Sequence, residues 1–166
     1  MTFVRFLAAP CLLLATAAAP PARVVAADGA WAALSRGTSC EAASAALLPA
    51  TRLRAQGRAS VAFDAAPGGR RGQVAVLLSQ VARPGSSVML TIGQEPFLLV
   101  ARGDLAWSRG PGQDAAIIQA MRGGGGMRVE ARSPGGGRIV DRYALAGAAT
   151  AIDAAAACAA NLLANR

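Results

Sequence analysis

The chain contains no lysine and no histidine; all 17 of its basic residues are arginine. Without histidine there is no Ser–His–Asp triad, no Cys–His pair and no His-containing zinc site. Without lysine there is no Schiff-base nucleophile and no P-loop cation. Aromatic residues are scarce, at 4% of 166 positions, although hydrophobic residues reach 54% through an abundance of alanine. A core for one domain must therefore come from Val, Ile, Leu and packed Ala, with few large anchors. Only Arg70 and Arg71 are adjacent, and no basic run is interleaved with aromatics. Such scattering gives no basis for nucleic-acid binding.

The first residues read as an address. Arg5 supplies a basic start and Phe6 to Ala19 an apolar stretch of the length expected for a secretory signal, too short to span a bilayer comfortably. The small-residue run Val25-Ala26-Ala27 offers a cleavage site, which assigns 1–27 to a signal peptide and 28–166 to the mature domain, with Asp28 first. The competing reading is an uncleaved N-terminal anchor. Export to the periplasm or beyond is the expectation. It removes Cys11 with the leader and leaves Cys40 and Cys158, an even pair in an oxidising compartment. A bridge between them would close nearly the whole mature chain and contribute about 4–5 kcal/mol in the chain-entropy model. The alternative is two unconnected buried thiols. No C-x-x-C is present, so a structural bond is favoured over redox chemistry.

Along the chain, period-two alternation dominates. Strands are expected at Trp31–Ser35, in "ASVAFD", in "QVAVLLSQV", in "VMLTI", in "PFLLVA" and at "LAWS". Arg102-Gly103-Asp104 is a turn between the last two, and its likeness to an adhesive tripeptide is explained by turn chemistry. The segment Cys40 to Arg58 is ambiguous, because its alanines favour helix while Pro49 limits one. "QDAAIIQAMRGGGGMRVEARS" reads as a helix opened by Asp114 and closed by Arg122, with four glycines following. A phosphate-cradling loop precedes its helix and offers free N–H groups, whereas these glycines trail theirs. Gly123 is expected to be a left-handed cap, the others slack, and no phosphate to bind.

Next comes the cleanest strand, with Met127, Val129 and Ala131 on one face and Arg128, Glu130 and Arg132 on the other. "SPGGG" turns it into a hairpin partner with Ile139, Tyr143 and Leu145 inward. Asp141 shares their parity, so either a bulge turns it outward or it accepts backbone hydrogen bonds. A C-terminal helix capped by Thr150, with Asp153 as its capping-box partner, places Ala151, Ala155, Cys158 and Leu162 on one stripe. The expected fold is mainly β: an antiparallel β-sandwich or partly closed barrel with a short mid-chain helix and a C-terminal helix.

Several of these segments also resemble a family. "DAAIIQAMRGG" and "DRYALAGAATAIDAAAAC" are similar to the ending D-x-Y-S-L-x-G…A…C of the invasion-associated locus B proteins, with Ala144 in place of the usual Ser. "GQEPFLLVARGDLAWS" resembles their G-x-x-F-x-L…W segment, and Trp31 with Cys40 fits their N-terminal part. The resemblance implies a small β-rich periplasmic or secreted domain, linked in some relatives to host-cell invasion, with no catalytic residue to carry over.

The expected role is an exported, non-catalytic binding or structural module without cofactor or metal. Its expected partner is an envelope or host protein, with weak contact to an anionic membrane surface, and the chain is expected to be a monomer. Two other roles compete: a surface adhesin contacting host cells, and a carboxylate-based periplasmic enzyme. For the enzyme the candidate acids are Glu95, Asp104, Asp114 and Asp141, none of which pairs at a diagnostic spacing.

Overall fold

The computed structural model describes residues 21–165. The basic start and apolar stretch of the expected leader, and Cys11 with them, lie outside the described residues.

Ten strands and two helices follow in chain order: β1 (Arg23–Asp28), β2 (Trp31–Arg36), β3 (Ser39–Ala45), β4 (Arg58–Asp64), β5 (Arg71–Leu77), β6 (Val88–Ile92), β7 (Glu95–Arg102), β8 (Leu105–Trp107), α1 (Pro111–Gly123), β9 (Gly126–Arg132), β10 (Arg138–Ala144) and α2 (Ala148–Ala164). All neighbouring strands pair antiparallel, in the order β1-β2-β3-β4-β5-β8-β7-β6-β9-β10. The mainly β, antiparallel expectation is met, and the sheet is not closed into a barrel. Its two terminal strands are β1 and β10.

The chain meanders through β1 to β5, skips to β6, and returns through β7 and β8 to pair with β5. Strand β7 makes the corner: its residues Glu95 to Leu99 pair with β6, while Val100 to Arg102 pair with β8. Helix α1 then carries the chain across so that β9 lies beside β6. The edge of β10 away from β9 is tied to the rest of the fold by isolated bonds instead of a second ladder. Trp31 Nε1 donates to Ala144 O at 2.9 Å, and Leu47 N–H donates to Arg142 O at 2.8 Å.

Burial follows the alternation. Trp31 and Ala33 of β2, Val74 and Val76 of β5, Val88, Leu90 and Ile92 of β6, and Met127, Val129 and Ala131 of β9 all face inward. The ambiguous segment resolves as strand β3 followed by a loop, with no helix. Its small side chains permit this, because Ala42 and Ala43 are buried and the C-terminal helix packs on β2 and β3. Helix α2 buries Ala148, Ala151, Ile152, Ala155 and Ala159, so small residues let helix and sheet approach closely. The expected disulfide joins Cys40 of β3 to Cys158 of α2, with Cα atoms 6.1 Å apart.

Three expectations are corrected. Thr150 is not the cap of α2; Gly147 is, in left-handed geometry (φ +85°). A Cβ on Gly147 would lie 1.8 Å from Asp28 O, so glycine is required there for space as well as for φ. Asp153 likewise makes no capping box and instead pairs with Arg122. Gly123 is not left-handed. Helix α1 ends on Gly124 in extended geometry, where a Cβ would meet Ile92 Cγ2 at 2.9 Å and Leu145 Cδ1 at 3.0 Å. Residues 23–27, which the expected leader would include, form most of β1 and pair with β2 from Arg23↔Ser35 to Asp28↔Trp31. A chain beginning at Asp28 would lack this strand.

Candidate functional site

The four candidate acids are not brought to one site. Asp104 is exposed in the two-residue β7–β8 turn. There Gly103 has φ +65°, and the Gly103 and Asp104 carbonyls accept from Ala82 N–H (2.8 Å) and Leu78 N–H (2.7 Å). Glu95 is exposed at the start of β7, beside a cleft with Gln119 and Gly123. Asp114, in the first turn of α1, is buried and accepts from Val74 N–H at 2.8 Å and from Ser108 Oγ. These bonds lock the start of α1 to β5.

Asp141 points inward with no bulge in the β9–β10 ladder, and its Oδ2 accepts from Ser79 N–H at 2.8 Å. Its second oxygen, Tyr143 Oη and Ser79 Oγ are buried with no hydrogen-bond partner among the described residues. A Cβ on Gly57 would stand 2.8 Å from Tyr143 Oη and 3.0 Å from Asp141 Oδ2. Burial, reinforced by the nearby Asp141 charge, pushes the Tyr143 phenol above its ordinary pKa. This tyrosine therefore stays neutral at physiological pH.

Among the described residues, no three cysteine, aspartate or glutamate side chains gather as metal ligands. Nor is any helix among them long and apolar enough to cross a membrane.

Charge concentrates instead on the outer face of β9 and β10. The β9–β10 register sets Arg142 directly opposite Arg128 and Arg138 directly opposite Arg132. Like charges facing each other across a ladder are unfavourable, and the single carboxylate on these two strands' outer face offsets only part of that repulsion. That carboxylate is Glu130, paired with Arg138 and, at 3.2 Å, with Arg128. The Arg138 hydrogen bond, with further help from Arg128 and Arg142, holds the Glu130 carboxyl below its usual range. Arg142 has no carboxylate partner among the described residues, and Arg128 Nε is buried without an acceptor among them.

Beside these arginines runs an open groove of about 460 Å³, lined by Leu47, Thr91, Arg128, Arg142, Tyr143 and the backbone of Gly125 and Gly126. The glycine run thus borders a basic groove without supplying its charge. By contrast, Arg70 is spent on structure. It grips Asp64 through Nε (2.8 Å) and Nη2 (2.7 Å) and so closes the β4–β5 loop.

Sequence reasoning found the outward parity of Arg128, Glu130 and Arg132 but missed their pairing with Arg138 and Arg142. The length of the "SPGGG" turn held that signal, since a turn through residues 133–137 places 132 against 138. Comparison of the chain with family models, with curated proteins and with solved structures finds no match in any of the three.

Proposed function

We propose that this chain is an exported, non-catalytic envelope or secreted module of the invasion-associated locus B type, which works by binding an anionic surface through its β9–β10 face. The observation that carries this reading is the β9–β10 outer face, where four arginines stand with a single carboxylate on two adjacent strands and two of them, Arg128 and Arg142, line the groove. The Cys40–Cys158 bond supports an oxidising compartment, periplasmic or external. The non-catalytic part draws support from the dispersal of Glu95, Asp104, Asp114 and Asp141 over separate surfaces and interior positions. Two buried carboxylates already committed to backbone N–H groups serve the fold, not proton transfer.

The test is retention on envelopes isolated from the native host. The wild-type protein should stay bound at low ionic strength and be released as salt rises to about 0.5 M, where screening shortens to a few ångströms. Arg142→Glu should elute at clearly lower salt. Recovery of the wild type entirely in the cytoplasm, or retention insensitive to both salt and Arg142→Glu, would contradict the reading.

A further inference from the structure

From the rim of the groove the chain runs into a loop, residues 46–57, whose design differs from the rest of the surface. Its stem is clamped. Ala46 N–H donates to Gly57 O at 2.8 Å, Gln56 Nε2 donates to Ala46 O at 2.7 Å, and Leu47 N–H is held by Arg142 O. Its tip is a second, smaller clamp, a bridge between Thr51 and Arg54 with Thr51 N–H donating to Arg54 O at 2.7 Å.

That tip presents Leu53 with 96% of its surface exposed, between Arg52 and Arg54. Leu47 (62% exposed) and Leu48 are also turned to solvent. A leucine displayed on a two-residue reversal, where a polar residue or glycine is the usual occupant, is unexplained by the fold. Neither Arg52 nor Arg54 makes an ion pair among the described residues.

We infer that loop 46–57 is a peripheral membrane anchor: Leu53, with Leu47 and Leu48, enters the acyl boundary of an anionic bilayer while Arg52, Arg54, Arg128 and Arg142 take lipid phosphates. This rests on the proposed anionic-surface function and names its occupant. Charge complementarity selects the bilayer, because exposed leucines gain nothing from a soluble anion, and basic side chains near a negatively charged leaflet each add to binding. The ordered stem means that little loop freedom is lost on docking. Leu47 belongs to both loop and groove, so the loop's stem adjoins the cationic groove.

The experiment is flotation of the protein purified from its own host, in its processed form, with vesicles of phosphatidylglycerol and phosphatidylethanolamine or of phosphatidylcholine alone. The expected result is flotation with the anionic vesicles, weakened by salt and not competed by millimolar inorganic phosphate. Leu53→Glu should lower the partition coefficient about tenfold, the scale of losing one buried leucine. Arg52→Gln with Arg54→Gln should lower it by a similar factor. Because Leu53 is fully displayed, unchanged melting of the variant confirms that folding is intact.

Equal flotation of wild type and Leu53→Glu, no flotation at all, or displacement by inorganic phosphate would each overturn the anchor. So would a wild-type dimer that Leu53→Glu makes monomeric, which would assign the loop to self-association. If salt-sensitive envelope retention persists in Leu53→Glu while flotation is absent, the anchor fails and the anionic-surface function stands.

Discussion

Asp141 shows how much one side chain can decide. Its parity along β10 places it inward, and the uninterrupted β9–β10 register keeps it there. The energetic problem of a buried carboxylate is met in part by the Ser79 N–H, just past the end of β5, which satisfies one of its two oxygens. Asp141→Ala should therefore lower unfolding free energy by about 1–3 kcal/mol, because it strands that buried donor. Asp141→Asn retains an acceptor and should cost less; chemical denaturation of the two variants checks the order. The sequence offered two fates for this residue, and which one applies depends on Ser79, more than sixty positions away. Gly147 makes the same point through space. Gly147→Ala puts a methyl against Asp28 O at a left-handed φ, and a loss of at least about 1 kcal/mol is expected in the same assay.

At the scale of elements, alternation was legible wherever one face was apolar and the other charged, as in β9 and β10. It failed in β3, where alanine occupies both faces and carries no period. Only packing against α2 settles that segment as strand, a tertiary choice overriding local propensity. The helix boundaries were displaced for a related reason. Thr150 and Gly123 have the right residue types for caps, but the ends of α2 and α1 are fixed by close approach of Gly147 to Asp28 and of Gly124 to Ile92.

The bridge from β3 to α2 is the element-scale feature with the largest expected effect. It closes a loop with a sequence separation of 118, so reduction should lower stability by a few kcal/mol. Cys40→Ser and Cys158→Ser should each match the reduced wild type, as either change removes the same link. If reduced and oxidised forms unfold at the same denaturant concentration, α2 is held by packing alone.

At the scale of the molecule, three carboxyls are lowered by the arginines that pair with them. The hydrogen bonds from Arg70 hold Asp64 far below the usual carboxylate range, and Glu130 and Asp153 are lowered by Arg138 and Arg122. Depressed folded-state values stabilise above the unfolded pKa, near 4, and that contribution is lost as pH falls through the folded values. Stability should be flat from neutral pH to about 5 and fall below about 4, with the sharpest drop expected to soften in Arg70→Gln. A titration centred near neutral pH would contradict this assignment.

The candidate site was only half legible. Outward arginines could be read from parity, but the groove needs β6, β9 and β10 side by side, and that order comes from α1 crossing over the meander. No local pattern encodes it. Loop 46–57 shows a similar limit, because no local pattern marks its leucines as exposed and only the fold leaves them outside.

The proposed export would account for the apolar start, the disulfide and the arginine-rich β9–β10 face together. The intact mass of the protein recovered from its native host, before and after reduction, tests it most directly. The expected mass is that of a chain trimmed upstream of Arg23, so that β1 is retained, and it should gain two hydrogen atoms on reduction. A start at Asp28 would keep export and remove β1 from the mature fold. A chain that begins at Met1 and shows no change of mass on reduction would contradict export and the bridge at once.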